Sequence, residues 1–311
     1  MKKTVVVALG GNALLKAGEK PSIARQFENI QKALHQLLPL FRARNRLVLT
    51  HGNGPQVGNI LIQVESALGK AYAIPMEVAV AESQGELGYL IEQAVYNALT
   101  KHNIKRSVVS MLSQVVVNPK DPAFKNPSKP VGPFYSKAKA QKLKRKGWKI
   151  IEDSGRGWRR VVPSPKPIEI IEKKTIQQLI ASGIIVVCAG GGGIPVFKTK
   201  NGLKGVAAVI DKDRASQVLA TQIKADELII LTDVEKVFLN FKKPNQKSVS
   251  KLTIKQAQHF LKQGQFGRGS MKPKIEAAIA FLKKGGKKVL ITAPRSLPRS
   301  LKGQSGTILK K

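Results

Sequence analysis

Short apolar runs of strand length alternate with stretches whose apolar residues recur at helical spacing, and this alternation restricts the chain to an α/β fold around a mostly parallel sheet. Thr4–Leu9, residues 47–50, 107–117, 184–189 and 228–231, Lys288–Thr292 and residues 307–309 read as strands. Between them, Phe27, Ile30, Leu34, Leu37, Leu38 and Phe41 mark one helical face, and Val57, Ile60, Leu61, Val64 and Leu68 mark another. Leu87, Leu90, Ile91, Ala94, Val95 and Leu99 mark a third. A further helix is expected from Glu172. Residues 118–165 break the pattern: prolines crowd both ends, with charges and two tryptophans between them. Such punctuation predicts a small subdomain projecting from the main sheet.

Three of the predicted strands run directly into glycine-rich loops. Gly10-Gly11-Asn12 follows the first, His51-Gly52-Asn53-Gly54-Pro55 the second, and Gly190-Gly191-Gly192-Gly193 a later one. In open α/β sheets ligands bind beyond the carboxyl ends of the strands, and glycine lets backbone N–H groups come close to an anion. A tight turn needs glycine with or without a ligand, so one such loop says little; three on one sheet edge point to an anion site. Neither GxxxxGK[ST] nor a strand followed by GxGxxG occurs, which excludes a P-loop enzyme and leaves a dinucleotide-dependent dehydrogenase unsupported.

Lysine is so abundant that only position makes one informative. Lys212, within Asp211-Lys212-Asp213, opens a predicted helix, where a cation opposes the helix dipole unless the flanking aspartates or a bound phosphate offset it. Lys274 stands at another predicted helix start, with Pro273 at the first helical position and Gly285-Gly286 as the stop. The histidines His35, His51, His102 and His259 show no ligand spacing, and one cysteine, Cys188, leaves a structural zinc site unsupported. His51 alone adjoins a candidate loop, and a turn residue bonded to backbone is its plainer reading.

The 311 residues carry a formal charge of +35, with 42% hydrophobic residues, enough for a real core. The charge admits a polyanion-binding role, yet lysines punctuate every region and no zinc-finger, RNP or basic coiled-coil pattern accompanies them, so no specific nucleic-acid partner is expected. No apolar run reaches the roughly 18 residues of a membrane span. The apolar start is cut short by glycines, so a strand and a cytoplasmic protein are expected rather than a secretion signal.

ALGGNALL (8–15), THGNGPQVGN (50–59), ESQGELGYLIEQA (82–94), DPAFKNPSKPVGPFY (121–135) and EDSGRGWRRVVPSP (152–165) together resemble the carbamate kinases of the amino-acid kinase family. CAGGGGIPV (188–196), AVIDKDRAS (208–216), LTDVEKV (231–237), NFKKPNQK (240–247) and GQFGRGSMKPK (264–274) extend the likeness along nearly the whole chain in the family's order. The resemblance implies a three-layer αβα sandwich: residues 1–210 would hold carbamate or carbamoyl phosphate beneath a lid at about 118–165, and residues 211–311 the nucleotide. It implies a homodimer that moves a phosphoryl group reversibly between ATP and carbamate, in arginine catabolism. Mg²⁺ would be held mainly by the nucleotide phosphates, with no protein metal site. Lys129, Lys212 and Lys274 match the family's phosphate-contacting lysines, and Asp211 the aspartate that holds them. Gly10, Gly11, Asn12, Gly52, Asn53 and Gly54 match the carbamate end. Gly191, Gly192, Thr232, Asp233, Val234, Ser270 and Met271 are expected near the nucleotide. Glu82 and Glu86 stand where apolar or aromatic residues are expected, and Arg268 where proline is. Three other readings stay open at this stage: a kinase of another small acid, a nucleic-acid-binding protein, and a silent structural homologue.

Overall fold

The computed structural model describes residues 2–10, 22–145, 147–153, 157–267 and 269–311. Thr4–Leu9, buried along its whole length, lies inside an eight-stranded sheet. It pairs in parallel with Arg46–His51 on one side and Glu227–Leu231 on the other. Ile185–Val187 and Val108–Ser110 continue the sheet outward past Arg46–His51, and Lys288–Thr292, Thr307–Lys310 and Lys251–Thr253 continue it past Glu227–Leu231. Among the described residues of this sheet, only the pairing of Lys288–Thr292 with Thr307–Lys310 is antiparallel.

Continuous apolar strands need cover on both faces, and the alternation of side chains across a strand shows how it is supplied. Val6, Val48, Val186, Leu228 and Ile230 face a core with Ala215, Leu219, Ile275, Ala278 and Leu282. Val5, Val7, Leu9, Leu47, Leu49, Ile229 and Leu231 face the opposite core, with Leu34, Phe41, Leu87, Ile91 and Val95. The result is the three-layer sandwich. Each fully buried side chain of this kind stabilises the fold by about 1.5–3 kcal/mol.

Parallel pairing brings the carboxyl ends of Thr4–Leu9, Arg46–His51, Ile185–Val187 and Glu227–Leu231 to one edge. The chain winds outward from Thr4–Leu9 in one direction first, and returns to its other side only with Glu227–Leu231. The crevice between these two strands is therefore a topological switch point, where ligands bind in open α/β sheets.

The stretch expected as one strand over 107–117 is two. Val108–Ser110 closes the main sheet, and Gln114–Val117 joins a separate four-stranded sheet with Gly202–Gly205, Ile194–Thr199 and Pro167–Ile170. The break is fixed by Ser113, whose Oγ accepts from the Ala189 N–H and whose backbone is bonded both ways to the Gln84 amide. The projecting subdomain is present: a three-stranded sheet of Lys129–Tyr135, Ile150–Glu152 and Trp158–Val162, with the helix Lys137–Arg145. It rests on the helix Gly54–Ser66 so closely that a β-carbon on Gly58 would lie 1.9 Å from the Gly132 α-carbon.

Candidate active site

The site begins at the switch point. A β-carbon on Gly10 would fall 2.6 Å from the Leu231 carbonyl oxygen and 3.6 Å from the Thr232 α-carbon, so glycine is what lets the first loop lie against the loop after Glu227–Leu231. Gly11, Asn12 and Arg268 lie outside the described residues.

The second loop leaves Arg46–His51 and enters the helix Gly54–Ser66, with Asn53 at its N-cap position. The Gly52 α-carbon faces the stem of Lys212: a β-carbon there would meet the Lys212 Cδ at 3.4 Å. A β-carbon on Gly54 would lie 4.0 Å from the Pro130 carbonyl oxygen, beside Lys129. The third loop packs on the second. Gly191 takes φ +62° and Gly192 φ +92°, in the region that favours glycine, and β-carbons on them would strike Asn53 and Ile210. Gly191 thus lies against the loop expected at the carbamate end, and Gly192 against Ile210, two positions before Lys212.

The cations come from three elements. Lys129 opens the first lid strand, and its Nζ lies 2.8 Å from Asp211 Oδ2. Lys212 is the first residue of the helix Lys212–Gln222 and is buried, with its ammonium on Asp213. Lys274 stands in the first turns of the helix Met271–Lys283 and donates to Asp213 Oδ2 at 3.0 Å and to the Ser270 carbonyl at 3.2 Å. That helix begins at Met271 rather than at Pro273. The first helical N–H groups need no intrahelical partner, so proline at the third position is tolerated.

The aspartates divide the work that the sequence assigned to Asp211 alone. Asp211 caps its helix, with Oδ1 accepting from the Asp213 and Arg214 N–H groups, which leaves Oδ2 for one lysine, Lys129. Asp213 answers the other two through separate oxygens. It was missed because an aspartate after a first-turn lysine reads as an ordinary dipole partner; the paired acids of the DKD triplet were the signal available.

The charges follow from this packing. Burial opposes ionisation of Asp211, yet Lys129 beside it and then Lys212 hold its carboxyl well below the usual carboxylate range. Burial opposes ionisation of Asp213 too, and is outweighed by Lys212 and Lys274. Lys212 is pushed down by burial and by Lys274, against the pull of Asp213, whereas Lys274 is lifted despite burial by Asp213, Asp211 and Asp233. Asp233, in the loop 232–234, thus acts electrostatically on Lys274. The Thr232 N–H donates to the Thr292 carbonyl at 2.9 Å, which anchors that loop to the neighbouring strand. Ser270 is the N-cap residue of Met271–Lys283, and Met271 packs against the first core.

His51 is 1% exposed and keeps its Nδ1 3.0 Å from the Gly52 carbonyl oxygen. Burial pushes its pKa down to about 4, so it is neutral at ordinary pH and serves the turn. Thr50 and Ser216 bond at 2.6 Å, and Ser216 Oγ donates to the Lys212 carbonyl, which ties the second strand to the helix carrying Lys212. Glu86 is half-buried beside Gln26, and burial raises its pKa; Glu82 is exposed.

Comparison with known proteins gives a consistent picture. The model of the amino acid kinase family matches residues 3–293. A carbamate kinase of Thermococcus kodakarensis is 46% identical over 310 residues, covering 98% of each chain. A carbamate kinase from Giardia lamblia bound to citric acid superposes with a TM-score of 0.95 at 41% identity, over 100% of this chain and 99% of the other. The same Giardia enzyme bound to AMP-PNP gives 0.91 at 42% identity, with the same coverage.

Proposed function

Because this chain belongs to the amino acid kinase family and, within it, to the carbamate kinases, we propose that it transfers a phosphoryl group reversibly between ATP and carbamate, giving ADP and carbamoyl phosphate. The observation that carries this reading is the set of three lysines from the lid, the core helix and the nucleotide-side helix, gathered on the two aspartates that flank Lys212, near the switch point.

The chemistry suits that set. Carbamate is already an anion, so an oxygen of its carboxylate attacks the γ-phosphorus with no proton to remove. The bond from phosphorus to the β,γ-bridging oxygen breaks, and ADP leaves. Such a transfer calls for in-line positioning and neutralisation of spread negative charge. Lys129 brings its cation from the lid side, Lys212 from beneath Gly52, and Lys274 from the helix Met271–Lys283. Asp211 and Asp213 keep the ammonium groups converged while no phosphate is bound. Backbone N–H groups at Gly10 and Gly52 suit the acid's oxygens. Among the described residues no three His, Cys, Asp or Glu side chains form a metal cage, and Asp211 and Asp213 already answer lysines. That donor set fits a Mg²⁺ carried on the nucleotide phosphates, where it would add charge neutralisation.

In this reading residues 1–210 hold the acid and its phosphate, and residues 211–311 the nucleotide through Thr232, Asp233, Val234, Ser270 and Met271. Gly191 and Gly192 belong with the nucleotide residues in this reading, and Gly191 also borders the acid side through Asn53. A homodimer belongs to the same reading. Tyr89 and Tyr96, two helical turns apart on Met76–Lys101, expose 61% and 63% of their surface and suit a partner face. A cytoplasmic setting and a role in arginine breakdown complete it; no described helix is long and apolar enough to cross a membrane.

The test is ATP formation from ADP and carbamoyl phosphate, with acetyl phosphate as control. Carbamoyl phosphate is expected to be the far better donor. No ATP, or faster ATP from acetyl phosphate, overturns the proposal.

A further inference from the structure

Asn53 occupies the N-cap of Gly54–Ser66, yet its side chain makes no capping bond. An asparagine there ordinarily turns its oxygen to the helix N–H groups. Here the amide is turned elsewhere: Nδ2 donates to Ser83 Oγ at 2.8 Å. The direction of that bond is fixed by the other half of Ser83. Its hydroxyl proton goes to the Val80 carbonyl at 2.7 Å, which leaves Ser83 Oγ able only to accept from Asn53. The NH₂ group must therefore face Ser83, and Oδ1 must face away from it. Among the described residues Oδ1 has no hydrogen-bond partner, although Asn53 is only 3% exposed. Asn53 also sits between Gly52, packed against Lys212, and Gly54, which faces the backbone beside Lys129. An acceptor with no partner among the described residues is thus carried by a largely buried side chain, on a loop that faces the Lys212 stem on one side and the backbone next to Lys129 on the other.

We infer that Asn53 Oδ1 accepts a hydrogen bond from the amino group of the acid substrate, and that Ser83 is the positioning residue which keeps that oxygen turned inward. The assignment rests on the carbamate reading and adds how the acid is told from its neighbours. Carbamate and acetate present the same carboxylate to the lysines and to the backbone N–H groups. They differ in an N–H donor against a methyl group, and only an acceptor reads that difference. An acetyl donor would cover Oδ1 without offering it a proton, the arrangement that lets a polar site reject an analogue lacking the matching group.

The experiment compares kcat/KM for ATP formation from carbamoyl phosphate and from acetyl phosphate in the wild type, Ser83→Ala and Asn53→Asp. Ser83→Ala frees the amide to turn its NH₂ inward, and the carbamoyl-to-acetyl ratio is expected to fall about tenfold or more. Asn53→Asp slows both reactions by added negative charge but keeps an inward acceptor, so its ratio stays near the wild-type value. A wild type active on carbamoyl phosphate with an unchanged ratio in Ser83→Ala overturns this assignment alone. A collapsed ratio in Asn53→Asp also overturns it, without recourse to the alanine variant. A wild type inactive on carbamoyl phosphate overturns the carbamate reading and this assignment together.

Discussion

Lys129 Nζ and Asp211 Oδ2 meet at 2.8 Å although 82 positions separate them in the chain, and their contact joins the lid to the core helix beneath it. Asp211 also caps that helix, so the two roles can be separated by substitution. Asp211→Asn keeps a good cap and loses the ion pair. Turnover is expected to fall at least tenfold with little change in the urea midpoint. Asp211→Ala loses both, and the lost cap costs about a further 1 kcal/mol of stability. Urea titrations beside steady-state rates measure the two effects.

Asp213 is the reverse case, one acid answering two lysines in a buried setting. Asp213→Ala leaves Lys212 and Lys274 without their shared counter-charge, and stability is expected to drop by about 3–5 kcal/mol. Lys212→Ala leaves Asp213 paired with Lys274 and is expected to cost less. Denaturant midpoints for the two variants check the order.

The pH dependence separates two groups. His51 is neutral in the fold, with a pKa of about 4 against roughly 6.5 unfolded. The unfolded chain therefore binds the extra proton between these values, and stability falls as pH drops from about 6.5 to about 4, by about 3 kcal/mol in full. Above 6.5 this contribution is complete. His51→Asn keeps a donor for the Gly52 carbonyl and is expected to flatten that window. The depressed Asp211 acts lower: its contribution is present above the ordinary carboxylate pKa and is lost only as pH falls below it, toward the folded value. Chemical denaturation across pH 3–8 distinguishes the windows.

Gly58 tests the lid's seat. With a β-carbon due 1.9 Å from the Gly132 α-carbon, Gly58→Ala must move the lid strand off the helix Gly54–Ser66. The expected result is a fall in kcat of at least tenfold, through displacement of Lys129. The main sheet, read by far-ultraviolet circular dichroism, is expected to stay intact.

Much of this architecture is written locally. The alternation of apolar runs and helical faces predicts the parallel sheet, and the strand Lys288–Thr292 has the bounds expected of it. The loops around Gly10, Gly52 and Gly190 were visible as glycine after strand. What was illegible depends on contacts distant in sequence. The break at Ser113 is made by Gln84 and Ala189, and nothing within residues 107–117 marks it. The division of labour between Asp211 and Asp213 needs the lid and Met271–Lys283 in place. Ser83 reads as an ordinary polar residue in a helix until the Asn53 amide is seen against it.

Convergence of the three lysines on one phosphoryl group is tested most directly by kcat for ATP formation from ADP and carbamoyl phosphate in Lys129→Ala, Lys212→Ala and Lys274→Ala, each verified as folded. The account expects every variant to lose about 10²–10³-fold, the usual cost of removing one preorganised charge contact from a transition state. Near-wild-type turnover in any one of them would contradict it.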